Sequence, residues 1–166
     1  MKRLILILIS FLFVSQTLSS KVPDTKRIRV LNYDQLEPYL NFRNDTVYLV
    51  NFWATWCAPC IAELPAIKAV EEKYSDKKFK VLLVSLDMLG HLKSRLTPFV
   101  LSHKITSDVF LLDDPNQNRW IDKVDKSWSG EIPFTLIYGK DFRDSYTQQF
   151  DFKTLDSIIN RKIKMP

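Results

Sequence analysis

The chain has 166 residues, 46% of them hydrophobic and 13% aromatic, and a formal net charge of +5. That is the length of one domain, with enough apolar side chain to fill a core without disulfide staples or a structural metal. With Lys2 and Arg3 set aside, 22 basic residues face 19 acidic ones. A surplus that small says little about partners, and Lys153, Arg161, Lys162 and Lys164 read as the solvated face of a helix in preference to a nucleic-acid patch.

Lys2 and Arg3 precede an apolar run from Leu4 to Val14, followed by small and polar residues through Ser20. This is the pattern of a secretory signal peptide, residues 1–19, cut after Ser19. The run is shorter than the roughly 20 apolar residues of a membrane span, which argues against an uncleaved anchor. Export places the rest of the chain where disulfides form, in the periplasm or otherwise outside the cytoplasm.

Residues 20–45 read as a lead-in with the first elements: a short strand at Ile28–Leu31, then a helix over Tyr33–Leu40 capped by Asn32 and made irregular by Pro38. Residues 46–166 read as the main domain. Thr46–Trp53 is nearly unbroken in apolarity, as expected of a central strand buried on both faces. From Ala58 to Tyr74, Ile61, Leu64, Ile67, Val70 and Tyr74 recur at helical spacing, with Pro65 expected to kink the helix.

Phe79–Leu86 predicts a second buried strand, Leu92–His103 a helix perturbed by Pro98, and Val109–Leu112 a strand before a turn at 113–116. Trp120–Val124 predicts a short helix, Phe134–Tyr138 a strand, and Arg143–Phe150 its hairpin partner. Asp151 caps a last helix with Phe152, Leu155, Ile158 and Ile159 on one face. Alternating strands and helices imply an α/β fold, a central mixed β-sheet with helices on both faces. Three glycines and no Gly-rich loop exclude a phosphate cradle of the usual kind.

The chemistry concentrates at Cys57-Ala58-Pro59-Cys60, the only two cysteines, at a strand-to-helix junction. Free N–H groups and the helix dipole favour a thiolate there, which makes Cys57 the nucleophile. Cys60, one turn on, is placed to attack a mixed disulfide. Ala58-Pro59 stiffens the turn at a position where proline loses no hydrogen bond.

Three other readings compete. Zinc needs about four ligands, and only His91 and His103 could join the cysteines. Covalent haem attachment needs His after the second Cys, where Ile61 stands. An inert disulfide across two residues removes little unfolded-state entropy. The redox reading is preferred, with no cofactor and no metal, and the alternative is a copper chaperone binding through the same thiolates.

Phe52-Trp53-Ala54-Thr55-Trp56-Cys57-Ala58-Pro59-Cys60 resembles the active-site segment of the thioredoxin superfamily, and Cys60-Ile61-Ala62-Glu63-Leu64-Pro65 resembles its exported TlpA/ResA-like branch. Asp114-Pro115-Asn116 and the stretch Glu131–Ile137 are similar to further elements of that branch. The resemblance covers Thr46 to the C-terminus and implies a thioredoxin-like fold. It also implies a cis Ile132-Pro133 peptide that holds substrate backbone; Pro133 could equally be strand-start punctuation. Trp56, Ala58, Pro59, Ile132 and Pro133 would form the docking surface, although Trp56 could be packing alone.

Thioredoxins carry a buried Asp six residues before the first Cys, where this chain has Asn51. The resemblance gives Glu63 the proton handling of Cys60; the plainer reading is a solvated first-turn acid. It implies a protein-disulfide oxidoreductase, acting as a reductant. Its partners would be cysteine-containing clients, for instance apocytochrome c before haem attachment, and a membrane thiol-transfer protein as electron source. A monomer without nucleic-acid partners is expected. Asn118–Gly130, with Trp120 and Trp128, is bulky, and either shapes a partner groove or packs over the sheet.

Overall fold

The computed structural model describes residues 28–164. The expected signal peptide, the lead-in through residue 27 and the last two residues lie outside them. Six strands form one mixed sheet: β1 (Arg29–Leu31), β2 (Val47–Trp53), β3 (Phe79–Ser85), β4 (Asp108–Leu112), β5 (Phe134–Tyr138) and β6 (Arg143–Tyr146), in the spatial order β1-β4-β3-β2-β5-β6. The first four run parallel, and β5 and β6 are antiparallel to their neighbours. The helices are α1 (Tyr33–Leu36), α2 (Ala58–Lys73), α3 (Thr97–Ser102), α4 (Gln117–Val124) and α5 (Phe152–Ile163).

All seven residues of β2 are buried. Successive side chains point to opposite faces, so Val47, Leu49 and Trp53 enter a core with α2, α3 and α5, while Tyr48, Val50 and Phe52 enter a second core with α1 and α4. That double burial is why the strand carries no polar alternation. The thioredoxin-like α/β architecture, helices on both faces of a mixed sheet, is the one expected. Residues 29–40 belong to it: β1 pairs with β4, and Tyr33, Leu36 and Leu40 sit in the second core.

The irregularities expected at Pro38 and Pro98 are present, and other local expectations are corrected. Pro38 converts the second half of the first helix to a 3-10 turn, Glu37–Leu40. The expected Leu92–His103 helix is a π-helical turn at Leu92–Leu96 followed by α3, with a 3-10 turn at Leu89–His91 ahead of it. Pro98 has no amide to donate to the preceding turn, and a regular ladder cannot form across it. Pro65 lies inside α2, as expected. β6 ends at Tyr146, short of Phe150, because the chain turns inward and buries Phe150. Phe152 is 41% exposed and only Leu155, Ile158 and Ile159 form the buried face of α5. Trp120 and Trp128 pack over the sheet, with Trp128 stacked on Phe134 at 4.3 Å and tilted against Phe52 at 4.9 Å.

Candidate active site

β2 delivers the chain to the C-terminal end of the parallel strands, and α2 leaves from there. Cys57 is the N-cap of α2 in extended conformation, and its Sγ accepts the Cys60 N–H at 3.3 Å. Pro59 lies in the first turn, where its missing N–H leaves no gap. Cys57 and Cys60 form a disulfide with Cα atoms 5.3 Å apart. Cys60 is fully buried and Cys57 nearly so, while Ala58 and Pro59 are exposed.

The loop before β5 faces this bond. Ile132-Pro133 is a cis peptide, and the Ile132 carbonyl oxygen lies 3.8 Å from Cys57 Sγ. Pro133 is buried and Ile132 half-buried. Trp128 donates its indole N–H to the Glu131 carbonyl at 2.7 Å and so braces the loop from behind. Trp56 stands 59% exposed beside Cys57, with Met88 and Leu89 also exposed on the loop after β3. The structure thus brings Trp56, Cys57, Ala58, Pro59, Cys60, Ile132 and Pro133 to one end of the sheet.

Glu63, one helical turn beyond Cys60, is fully buried rather than solvated. Its Oε1 accepts the Asn51 side-chain N–H at 2.7 Å, and its Oε2 accepts the Phe150 backbone N–H at 2.9 Å. Asn51 also donates to Thr135 Oγ1 at 3.0 Å, its cross-strand partner on β5. Burial pushes the Glu63 carboxyl above the usual carboxylate range, and the two N–H donors pull it back in part.

A second buried acid, Asp87, accepts the Thr55 backbone N–H at 3.0 Å, the Thr55 hydroxyl at 2.6 Å and the Ser85 hydroxyl at 2.8 Å. It pins the loop leading into Cys57. Sequence reasoning missed Asp87, Thr55, Thr135 and the Phe150 amide. The available signal was polar residues inside or just after buried strands, as in Ser85-Leu86-Asp87 and Phe134-Thr135-Leu136. Of the two histidines, His103 stacks on Phe99 at 3.8 Å. Among the described residues no group of three or more His, Cys, Asp or Glu is placed to hold a metal ion, and no helix is long and apolar enough to cross a membrane.

The profile of the Redoxin family matches residues 19–156. The thiol-disulfide oxidoreductase ResA of Oceanobacillus iheyensis is 46% identical over 39 residues, covering 24% of this chain and 20% of that protein. The thioredoxin-like protein YneN of Bacillus subtilis is 32% identical over 63 residues, 38% of this chain and 36% of that one. These matches span only a fifth to about a third of each relative. Among solved structures, a thiol:disulfide interchange protein of the thioredoxin family from Chlorobium tepidum superposes with a TM-score of 0.59 at 20% identity, covering 72% of this chain and 81% of that one. A secreted thiol-disulfide isomerase from Corynebacterium glutamicum gives 0.61 at 17% identity, with 74% and 73% covered. Such likenesses establish the fold. Sequence and fold together make this chain a member of the Redoxin family, a TlpA/ResA-like protein of the thioredoxin superfamily.

Proposed function

We propose that the protein is an exported thiol–disulfide oxidoreductase that reduces disulfides of client proteins through Cys57 and Cys60. The observation that carries this reading is the Cys57–Cys60 bond at the start of α2, with the Ile132-Pro133 loop against it and the buried Glu63 behind it. The signal-peptide pattern of residues 1–19 supports export.

In the reduced protein the Cys57 thiolate, favoured by the helix N-terminus, attacks one sulfur of a client disulfide. That bond breaks, the client's other sulfur leaves as a thiolate, and a Cys57–client bond forms. Cys60 passes its proton to Glu63 and attacks Cys57 Sγ. The Cys57–client bond breaks, the second client thiolate leaves, and the disulfide seen in the structure forms. Two electrons pass from the dithiol to the client. A raised proton affinity suits Glu63 to accept the thiol proton, since burial disfavours its charged form. Trp56, Ala58, Pro59 and Ile132 are the surface on which a client segment docks. No further cofactor is needed. A membrane thiol-transfer protein is the proposed source of electrons, and apocytochrome c is one class of client.

The test is the redox midpoint of the protein equilibrated in dithiothreitol and glutathione buffers, read by alkylation of Cys57 and Cys60. A value near about −270 mV marks a reductant, and one near about −120 mV a disulfide donor. A pair that does not cycle, or that purifies with bound copper, overturns the oxidoreductase reading.

A further inference from the structure

Asn51 sits mid-strand in β2, fully buried, with its side chain on the α2 side of the sheet. Its amide nitrogen uses both hydrogens, one on Glu63 Oε1 at 2.7 Å and one on Thr135 Oγ1 at 3.0 Å. Its Oδ1 is equally buried and has no hydrogen-bond partner. Packing alone does not account for this arrangement, because a buried amide left half satisfied is less favourable there than an aliphatic side chain of similar size. The two donors on Glu63 also differ in kind. The Phe150 backbone N–H can only donate, whereas a side-chain amide offers a donor at one end and an acceptor at the other.

We propose that Asn51 is a positioning residue of the exchange reaction: its amide holds the Glu63 carboxylate through Nδ2 and turns over, presenting Oδ1, when Glu63 takes the proton of Cys60. This rests on the reading of Glu63 as the proton acceptor. In the transfer the Cys60 S–H bond breaks, its electron pair stays on sulfur, and an O–H bond forms at Glu63 Oε1. That new O–H faces an amide that offers only N–H. A half-turn of the Asn51 amide about the Cβ–Cγ bond brings Oδ1 opposite both the Glu63 O–H and the Thr135 hydroxyl, which can donate as readily as it accepts.

The two arrangements are not equivalent. With Glu63 ionised the unpartnered atom is a carbonyl oxygen; with Glu63 protonated it is an N–H, the costlier group to leave alone. Asn51 therefore favours the carboxylate and opposes the effect of burial. Among the described residues no charged side chain competes in this. Burial, the Phe150 N–H and the Asn51 amide act on Glu63. Thr135 on β5 does not ionise, and across the α2–α5 contact Lys73, Tyr74 and Asp156 bond one another. The titratable neighbour is Cys60, one turn back on the same helix.

The experiment loads Cys57 with thionitrobenzoate and follows its release by Cys60 as a function of pH. Asn51→Leu is expected to move the acid-side midpoint upward by about one pH unit, a tenfold rise in proton affinity. Glu63→Gln is expected to remove that limb, and Asn51→Leu added to it to change nothing further. A profile lowered uniformly by Asn51→Leu with its midpoint unmoved overturns the proposal. Retention of the wild-type limb in Glu63→Gln overturns instead the reading of Glu63 itself. Should Asn51→Leu not fold, the wild-type protein decides: the side-chain amide resonances of Asn51 are expected to titrate with the Glu63 carboxyl carbon in NMR spectra, and amide resonances that stay fixed while that carbon titrates sink the proposal.

Discussion

Thr55 gives both its backbone N–H and its hydroxyl to one carboxylate, that of Asp87, at 3.0 and 2.6 Å. The acid belongs to the loop after β3, and the threonine stands two residues before Cys57. Because Asp87 also takes the Ser85 hydroxyl, its removal leaves three donors without an acceptor. Asp87→Ala is expected to lower stability by about 2–4 kcal/mol, measured by urea unfolding of the oxidised protein. It is also expected to slow thiol–disulfide exchange by loosening the approach to Cys57. Unchanged unfolding would mean that the Thr55 pairing contributes nothing to holding the loop.

Glu63 is predicted to make stability fall with rising pH. Its carboxyl in the fold binds a proton more tightly than the ordinary value of 4.5. Folding therefore favours the protonated acid, and that contribution is fully present below pH 4.5 and lost as pH rises through the raised folded value. Glu63→Gln, which cannot ionise, is expected to be more stable than wild type at neutral pH, with the advantage shrinking as pH falls towards 4.5. Urea midpoints across pH 4 to 8 check this, and an advantage independent of pH would contradict it.

The proposed division of labour between the cysteines predicts unequal traps. Cys60→Ser retains the nucleophile and lacks the resolving thiol, so mixed disulfides with protein clients are expected to accumulate on Cys57. Cys57→Ser is expected to accumulate at least tenfold less. Non-reducing electrophoresis of the two variants, exposed to the same oxidised client, reads the difference. Equal adducts on both would remove the distinction between attacking and resolving residues.

Trp128 ties the second core to the loop before β5, stacking on Phe134 and bonding the Glu131 carbonyl. Trp128→Ala removes a large buried ring and is expected to cost about 3–5 kcal/mol. Trp128→Phe keeps most of the packing and loses the indole N–H, and about 1 kcal/mol is expected. Thermal unfolding of both variants gives the comparison.

The pair Cys57 and Cys60 was legible because its chemistry is local: two residues of spacing and one strand-to-helix junction define it. β2 and β3 were legible for a similar reason, since burial on both faces writes itself as an unbroken apolar run. The environment of Glu63 was not. Its partners come from β2 and from a backbone amide 87 residues away, with Thr135 of β5 joined through Asn51, and no periodicity encodes such a meeting. Asp87 stayed hidden because a single acid after a strand looks like loop chemistry until the fold encloses it. The π-helical turn at Leu92–Leu96 includes Ser94, the residue whose carbonyl Pro98 leaves without a donor, and hydrophobic spacing registers no such effect.

β2 and β5 are antiparallel neighbours at the centre of the sheet, paired from Phe52 with Phe134 to Tyr48 with Tyr138. One strand ends just ahead of Cys57, and the other begins at the residue after Pro133. The thiols and the loop facing them thus hang from the same ladder, the part of a sheet that opens last. Fraying of β1 or β6, the two edges, leaves them assembled. Loss of disulfide exchange on heating is then expected to coincide with melting of the whole domain.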